Sequence, residues 1–162
     1  MLSPVFSVTV DGLGRPFITS QVGLFFGASW ATYVVRLDPD TLQPSWSVVY
    51  NWTENYRKPP AVAADQNGNL WVYGGDSNGL AQLLRYDAQG AQTFSRTVSS
   101  EVPLASQLAV DAAGNAYITG SVSTLLPMMN SLATCGTSYL SVLAPDGSML
   151  QSTYLPRWVR YT

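Results

Sequence analysis

One short pattern occurs three times in this chain and limits its fold more than any other feature of the sequence. The three copies are SVTVDGLGRPFITS (7–20), AVAADQNGNLWVYG (61–74) and QLAVDAAGNAYITG (107–120). Each copy has two stretches rich in β-forming residues, separated by Asp-x-x-Gly. Apolar and polar residues that alternate with a period of two predict strands, and Asp and Gly at these positions favour a tight turn. We therefore predict a β-hairpin in each copy.

A second hairpin is predicted after each of the first three. The segments VVRLDPDTLQ, LLRYDAQGAQ and LSVLAPDGSM begin at Val34, Leu83 and Leu140. The first of these lacks a turn glycine, so we expect a longer turn there. Four short antiparallel strands in a repeat of about 50 residues are typical of a β-propeller blade.

The predicted fold is therefore all-β, with three four-stranded antiparallel units that form a partial or half β-propeller. Residues 1–162 form one propeller segment, with blades at about 4–50, 60–98 and 104–155 and a tail at 156–162. The residues predicted to shape the structural turns are Asp11, Asp65, Gly68, Asp111, Gly114, Asn115 and Gly147.

The third unit carries a family resemblance. Residues 107–120, then Pro127, then TSYLSVLAPDGSMLQSTYL from Thr137 resemble the bacterial SBBP β-propeller repeat. The first unit is more degenerate, because Arg15 and Ser20 stand where that pattern has Asn and Gly. The resemblance implies a propeller of the kind found in large secreted or surface-attached bacterial proteins, and it implies no catalytic residues. We accordingly expect an extracellular or cell-surface location, although no signal-peptide pattern is visible at the N-terminus.

Three blades do not close a ring, since closed propellers typically have 4–8 blades. We therefore expect either that two copies of the chain form a six-blade ring or that the rest of a longer propeller completes it. The alternating tail from Arg157 to Tyr161 is predicted to dock across a blade edge or a neighbouring chain, with Trp158 as its anchor.

Composition excludes several classes of function. The chain has no His and one Cys, Cys135, so His-dependent catalysis and His- or Cys-based metal sites are excluded, and we expect no metal and no cofactor. A net charge of -2 is unsuited to a nucleic-acid surface. No apolar run reaches the ~20 residues of a membrane span. We predict a non-enzymatic module with a structural or ligand- and protein-binding role.

The candidate ligand-binding residues are aromatic and lie in predicted loops. Propeller strands alternate in direction, so the tight turns are expected on one face and the other loops on the opposite face. That opposite face gathers Trp30, Trp52, Tyr56 and Arg57, which suit sugar stacking or a protein partner. The alternative function is a carbohydrate-binding, lectin-like propeller or a carbohydrate-cleaving one. Two loop carboxylates, Glu54 and Glu101, are the candidates for cleavage.

Overall fold

All the regular structure in the described part of the chain is β-strand. The computed structural model describes residues 5–23, 30–52, 60–76, 78–100, 106–121, 128–133 and 135–155. These residues contain twelve strands in three four-stranded antiparallel sheets. The structure therefore confirms the predicted all-β fold with three four-stranded antiparallel units.

Each sheet consists of four strands that are consecutive in the chain and adjacent in the sheet. The first sheet contains β1 (Val5–Val10), β2 (Pro16–Gly23), β3 (Trp30–Leu37) and β4 (Pro44–Trp52). The second contains β5 (Ala61–Ala64), β6 (Leu70–Gly75), β7 (Ala81–Tyr86) and β8 (Gln92–Ser99). The third contains β9 (Ser106–Val110), β10 (Ala116–Ser121), β11 (Ser138–Leu143) and β12 (Met149–Tyr154).

The first turn of every sheet is closed by one aspartate, and the second sheet shows the geometry. The Asp65 N–H donates to the Asn69 carbonyl at 3.0 Å, and the Gly68 N–H donates to the Asp65 carbonyl at 3.2 Å. Oδ1 of Asp65 accepts from the backbone of Asn67 and Asn69, both at 2.9 Å, while Oδ2 accepts from Asn69 Nδ2 at 2.8 Å. The carboxylate thus satisfies backbone donors that a two-strand ladder leaves unpaired.

The other two sheets place Asp11 and Asp111 at the equivalent position. Asn115 repeats the contacts of Asn69 around Asp111, with its Nδ2 2.8 Å from Oδ2. In the first sheet Arg15 replaces the asparagine, and its Nε donates to Asp11 Oδ2 at 2.7 Å. Arginine and asparagine both supply the side-chain donor that this turn needs, which explains why the first unit can depart from the repeat pattern.

The second hairpins differ in length as expected. The Asp87 N–H donates to Ala91 and the Ala144 N–H to Ser148, which closes two five-residue turns. In the first sheet the Asp38 N–H donates to Gln43 at 2.9 Å, one residue further along. Leu42 there takes a left-handed conformation, with a φ of 56°. The longer turn predicted from the missing glycine is therefore present.

The three sheets pack in series. The first strands lie together, with β5 beside both β1 and β9. We call the face of each sheet that carries Val8, Val62 or Leu108 its near face and the opposite one its far face. Phe17 and Val34 on the far face of the first sheet pack against the near face of the second, and the far face of the second packs in the same way against the third.

The sheets also share two ends. We call the end with the hairpins at Asp11, Asp65 and Asp111 the turn end, and the opposite one the loop end. One connection at the loop end is itself a tight turn, because the Asp76 N–H donates to the Leu80 carbonyl at 2.9 Å between β6 and β7. Tight turns therefore do not lie on one face alone, contrary to the sequence-based expectation. Asp76 uses the same chemistry as the turn-end aspartates.

A segment of the β10–β11 connection covers the outer edge of the third sheet. Met129 and Ser152 exchange two backbone hydrogen bonds, of 3.1 and 2.7 Å. Oγ1 of Thr153 accepts from the N–H groups of Leu132 and Ala133 at 2.9 and 3.1 Å. Residues 128–133 therefore occupy hydrogen-bonding groups that an edge strand would otherwise expose.

Candidate functional site

A cleft of about 330 Å³ lies at the loop end between the first strands of the three sheets. Its size is at the small end of the range for ligand pockets. The residues that line it carry hydroxyl, amide and apolar groups, and none of these lining residues is ionisable. The described residues of its walls can therefore offer hydrogen bonds to a neutral polar ligand, but among them there is no general acid or base. The residues that line the cleft are Ser7, Pro60, Ala61, Val62, Ser106, Gln107 and Leu108.

Two of the four predicted ligand-binding residues lie next to each other in the first sheet. Trp30 begins β3, Trp52 ends β4, and the two are register partners at the loop end. Tyr56 and Arg57 lie outside the described residues. So do the candidate carboxylates Glu54 and Glu101 and the tail at 156–162.

The turn carboxylates are held as hydrogen-bond acceptors. Donation from the Asn115 side chain, from the Asn115 N–H and from the Tyr117 hydroxyl lowers the pKa of Asp111. Burial raises the pKa of Asp76, but bonds from Leu80, Asn78 and Gln82 outweigh it, so the net pKa is lowered. An acid that is ionised and fully engaged by its own turn is unsuited to donating a proton. These aspartates therefore stabilise hairpins.

The turn glycines take the backbone conformation that the tight turns need. Gly68, Gly114 and Gly147 have φ of 82°, 84° and 82°. Gly68 lies close to the side chain of Arg15, and Gly147 lies against the ring of Phe94. Glycine thus serves both the turn and the close approach of a neighbouring sheet at two of these positions.

The packing between sheets depends on a repeated arginine that sequence comparison did not single out. On the far face of the first sheet, Phe17, Arg36 and Trp46 are register partners and form what we call the first triad. The guanidinium lies 5.9 Å from the Trp46 ring centroid, and Nε donates to the Ser45 hydroxyl at 2.8 Å. Nη1 donates to the carbonyl of Ala88, in the second hairpin turn of the next sheet. The arginine thus joins two sheets.

The second sheet repeats this arrangement with the second triad, Trp71, Arg85 and Phe94. The Arg85 guanidinium lies 5.3 Å from the Trp71 ring centroid. Its Nη1 donates at 3.3 Å to the carbonyl of Pro145, in the second hairpin turn of the third sheet. The two junctions therefore place an arginine between two aromatic residues at the same repeat positions, with Phe and Trp exchanged. Arg36 and Arg85 are aligned in VVRLD and LLRYD, and this alignment is the sequence signal that could have revealed them.

The two junctions also bury aromatic and hydroxyl groups. Phe17 and Trp46 meet edge to face with centroids 5.7 Å apart, and Trp71 and Phe94 are 5.9 Å apart. Between the second and third sheets, the buried hydroxyls of Tyr73 and Tyr139 are hydrogen-bonded at 3.1 Å. Burial raises the pKa of Tyr73 and raises that of Tyr139 to about 12, so both hydroxyls stay neutral and this contact holds no buried charge.

In comparisons with known proteins, no protein-family model matches this chain, and no curated protein sequence matches it. Within the described ranges, no three Cys, Asp or Glu side chains are placed to hold a metal ion. The same ranges contain no helix long and apolar enough to cross a membrane.

Proposed function

We propose that the chain is a non-enzymatic module of a β-propeller of the SBBP repeat type, with a structural or ligand- and protein-binding role in an extracellular or surface bacterial protein. The observation that carries this proposal is the repeated direction of packing. The far face of one sheet meets the near face of the next, and the first strands lie together. A propeller requires this order, with the first strand of each blade innermost.

The chemistry of the described residues supports a binding or structural role. The turn aspartates are engaged by their own hairpins, and the described residues that line the cleft at the loop end are neutral. The outer sheets each leave one face open, so the module is completed by further sheets. These further sheets come either from a second copy of this chain, which gives a six-blade ring, or from the rest of a longer propeller.

The propeller arrangement is tested by distances between spin labels, after Cys135 is replaced by Ser. One pair is placed on the exposed residues Leu13 and Ala112 in first turns, and another on Asp40 and Asp146 in second turns. If the sheets fan out from a common axis, the second pair is farther apart than the first. Equal separations would indicate parallel stacking and contradict the propeller.

The carbohydrate alternative rests on the register pairing of Trp30 with Trp52 at the loop end, because Trp residues suit stacking on sugar rings. A glycan array with the wild-type chain and Trp30→Ala separates a lectin from a scaffold. A scaffold shows no binding that depends on Trp30. Glycoside hydrolysis that disappears in Glu54→Gln or Glu101→Gln would contradict the non-enzymatic function.

A further inference from the structure

The first sheet leaves open a face that the other two sheets bury. Val8 on its near face is 64% exposed, whereas Val62 at the equivalent position of the second sheet is 8% exposed. The residues that pair with these positions on the second strand of each sheet differ in the same way, since Ile18 is half-buried while Val72 and Ile118 are fully buried. The face is apolar beyond these positions, and its further members are Val10, Tyr33, Val35 and Val49.

The structure shows twice what covers a face of this kind. Both buried near faces are covered by a far face that carries a triad, and in both the arginine reaches a carbonyl in the second hairpin turn of the covered sheet. In the first sheet that turn spans residues 38–43. It presents Asp40 as an exposed carboxylate, which favours an incoming guanidinium.

The third sheet does not offer a matching far face. Its three triad positions are Tyr117, Val142 and Gln151, so the arginine and one aromatic residue are missing. The Tyr117 hydroxyl is turned to Asp111, at 3.0 Å. Thr153 on the same face is covered by residues 128–133. A second copy that used its third sheet would therefore place a largely polar face without an arginine on the apolar one.

We propose that the near face of the first sheet is a docking surface for one further four-stranded sheet of the same repeat, which carries an arginine between two aromatic residues on its far face. The occupant is such a repeat unit and not a second copy of this chain. This inference rests on the proposed function, and it names the partner that completes the module on this side.

The experiment adds a suitable sheet to the chain. Residues 60–105, which include the second triad, are copied directly in front of Val5, so that their natural connection to a following first strand is kept. The matched control carries Arg85→Val and Phe94→Gln in the copied unit alone, which are the residues of the third sheet at these positions. Both extended chains and the 162-residue chain are compared by urea unfolding and by binding of a hydrophobic dye.

We expect the extended chain to unfold in a single transition at a higher urea concentration than the parent. It should bind about as much dye as the parent, because the added unit presents its own open near face in place of the one it covers. The control should unfold at a lower urea concentration and bind more dye than the extended chain. A control that behaves like the extended chain would overturn the requirement for the triad. Separate unfolding of the added unit would overturn the docking surface itself.

The oligomeric state of the parent chain tests whether a second copy occupies the near face of the first sheet. Light scattering should give the same mass for the parent chain and for Val8→Asp. A dimer that Val8→Asp converts to a monomer would make a second copy the occupant and overturn the proposal. The spin-label distances report on the propeller alone, so they separate a failure of the proposed function from a failure of the docking surface.

Discussion

Three turn glycines with nearly the same backbone conformation differ in what lies beside them. Gly14, Gly90 and Gly147 have φ of 77°, 87° and 82° and close hairpins at the turn end. A Cβ on Gly14 would have no atom within 4 Å, whereas a Cβ on Gly90 would lie 3.0 Å from Trp46 Cδ2. A Cβ on Gly147 would overlap the ring of Phe94. Alanine at these sites therefore separates backbone strain from packing between sheets.

The expected costs rise in that order. A left-handed conformation costs an L-residue ~1–2 kcal/mol, and we expect this loss in the free energy of unfolding for Gly14→Ala. At Gly90 the Trp46 ring must shift by a few tenths of an ångström, which adds about 1 kcal/mol, the lower end of the cost of overpacking. At Gly147 the ring must leave its place, which adds about 2–3 kcal/mol.

Urea unfolding of the three variants measures these differences, provided that the slope of free energy against denaturant is unchanged. Phe94→Leu is the companion variant, because it should recover part of the loss in Gly147→Ala and none of the loss in Gly14→Ala. Equal costs at all three sites would refute the reasoning, since the second hairpin turns would then not be packed against the preceding sheet.

Three further predictions concern single side chains. Arg85→Ala removes the hydrogen bond to Pro145 and the contact with an aromatic ring, so we expect a loss of about 2 kcal/mol and a fall of roughly 4–8 °C in Tm by calorimetry. Folding lowers the pKa of Asp111, so its carboxylate stabilises the fold above its unfolded pKa of about 4. This contribution is lost as the pH falls through the folded pKa. In Asp111→Asn, the free energy of unfolding should therefore fall less steeply as the pH is lowered in this range. Tyr73→Phe leaves the buried Tyr139 hydroxyl without its partner and should cost ~1–3 kcal/mol in urea unfolding.

The hairpins could be predicted from sequence because the residues that determine each turn lie close together in the chain. Asp65 and Gly68 lie three residues apart and close a turn between strands that follow each other directly. The missing glycine between Asp38 and Gln43 correctly predicted a longer turn. The turn at Asp76 uses the same chemistry at a different place in the repeat, so the alignment of the three copies does not identify it.

The acceptors of the hydrogen bonds between sheets could not be predicted, because they are backbone carbonyls far from the arginines in the chain. Arg36 donates to the carbonyl of Ala88, 52 residues later. Every residue has a backbone carbonyl, so the residue type does not show which one accepts this bond. The candidate ligand site was predicted only in part. Trp30 and Trp52 are register partners, whereas the described lining of the cleft includes small residues such as Ser7 and Ser106, which have no distinctive pattern.

The strand-like pairing of residues 128–133 with β12 has a consequence for synthesis on the ribosome. The segment leaves the ribosome before its partner, since Met129 precedes Ser152 by 23 residues, and it gains its hydrogen bonds only when β12 has emerged. Until then, β11 presents the open edge of a three-stranded sheet, which is a site where nascent chains on neighbouring ribosomes can pair. The emergence of β12 therefore ends the period in which the third sheet is prone to aggregation.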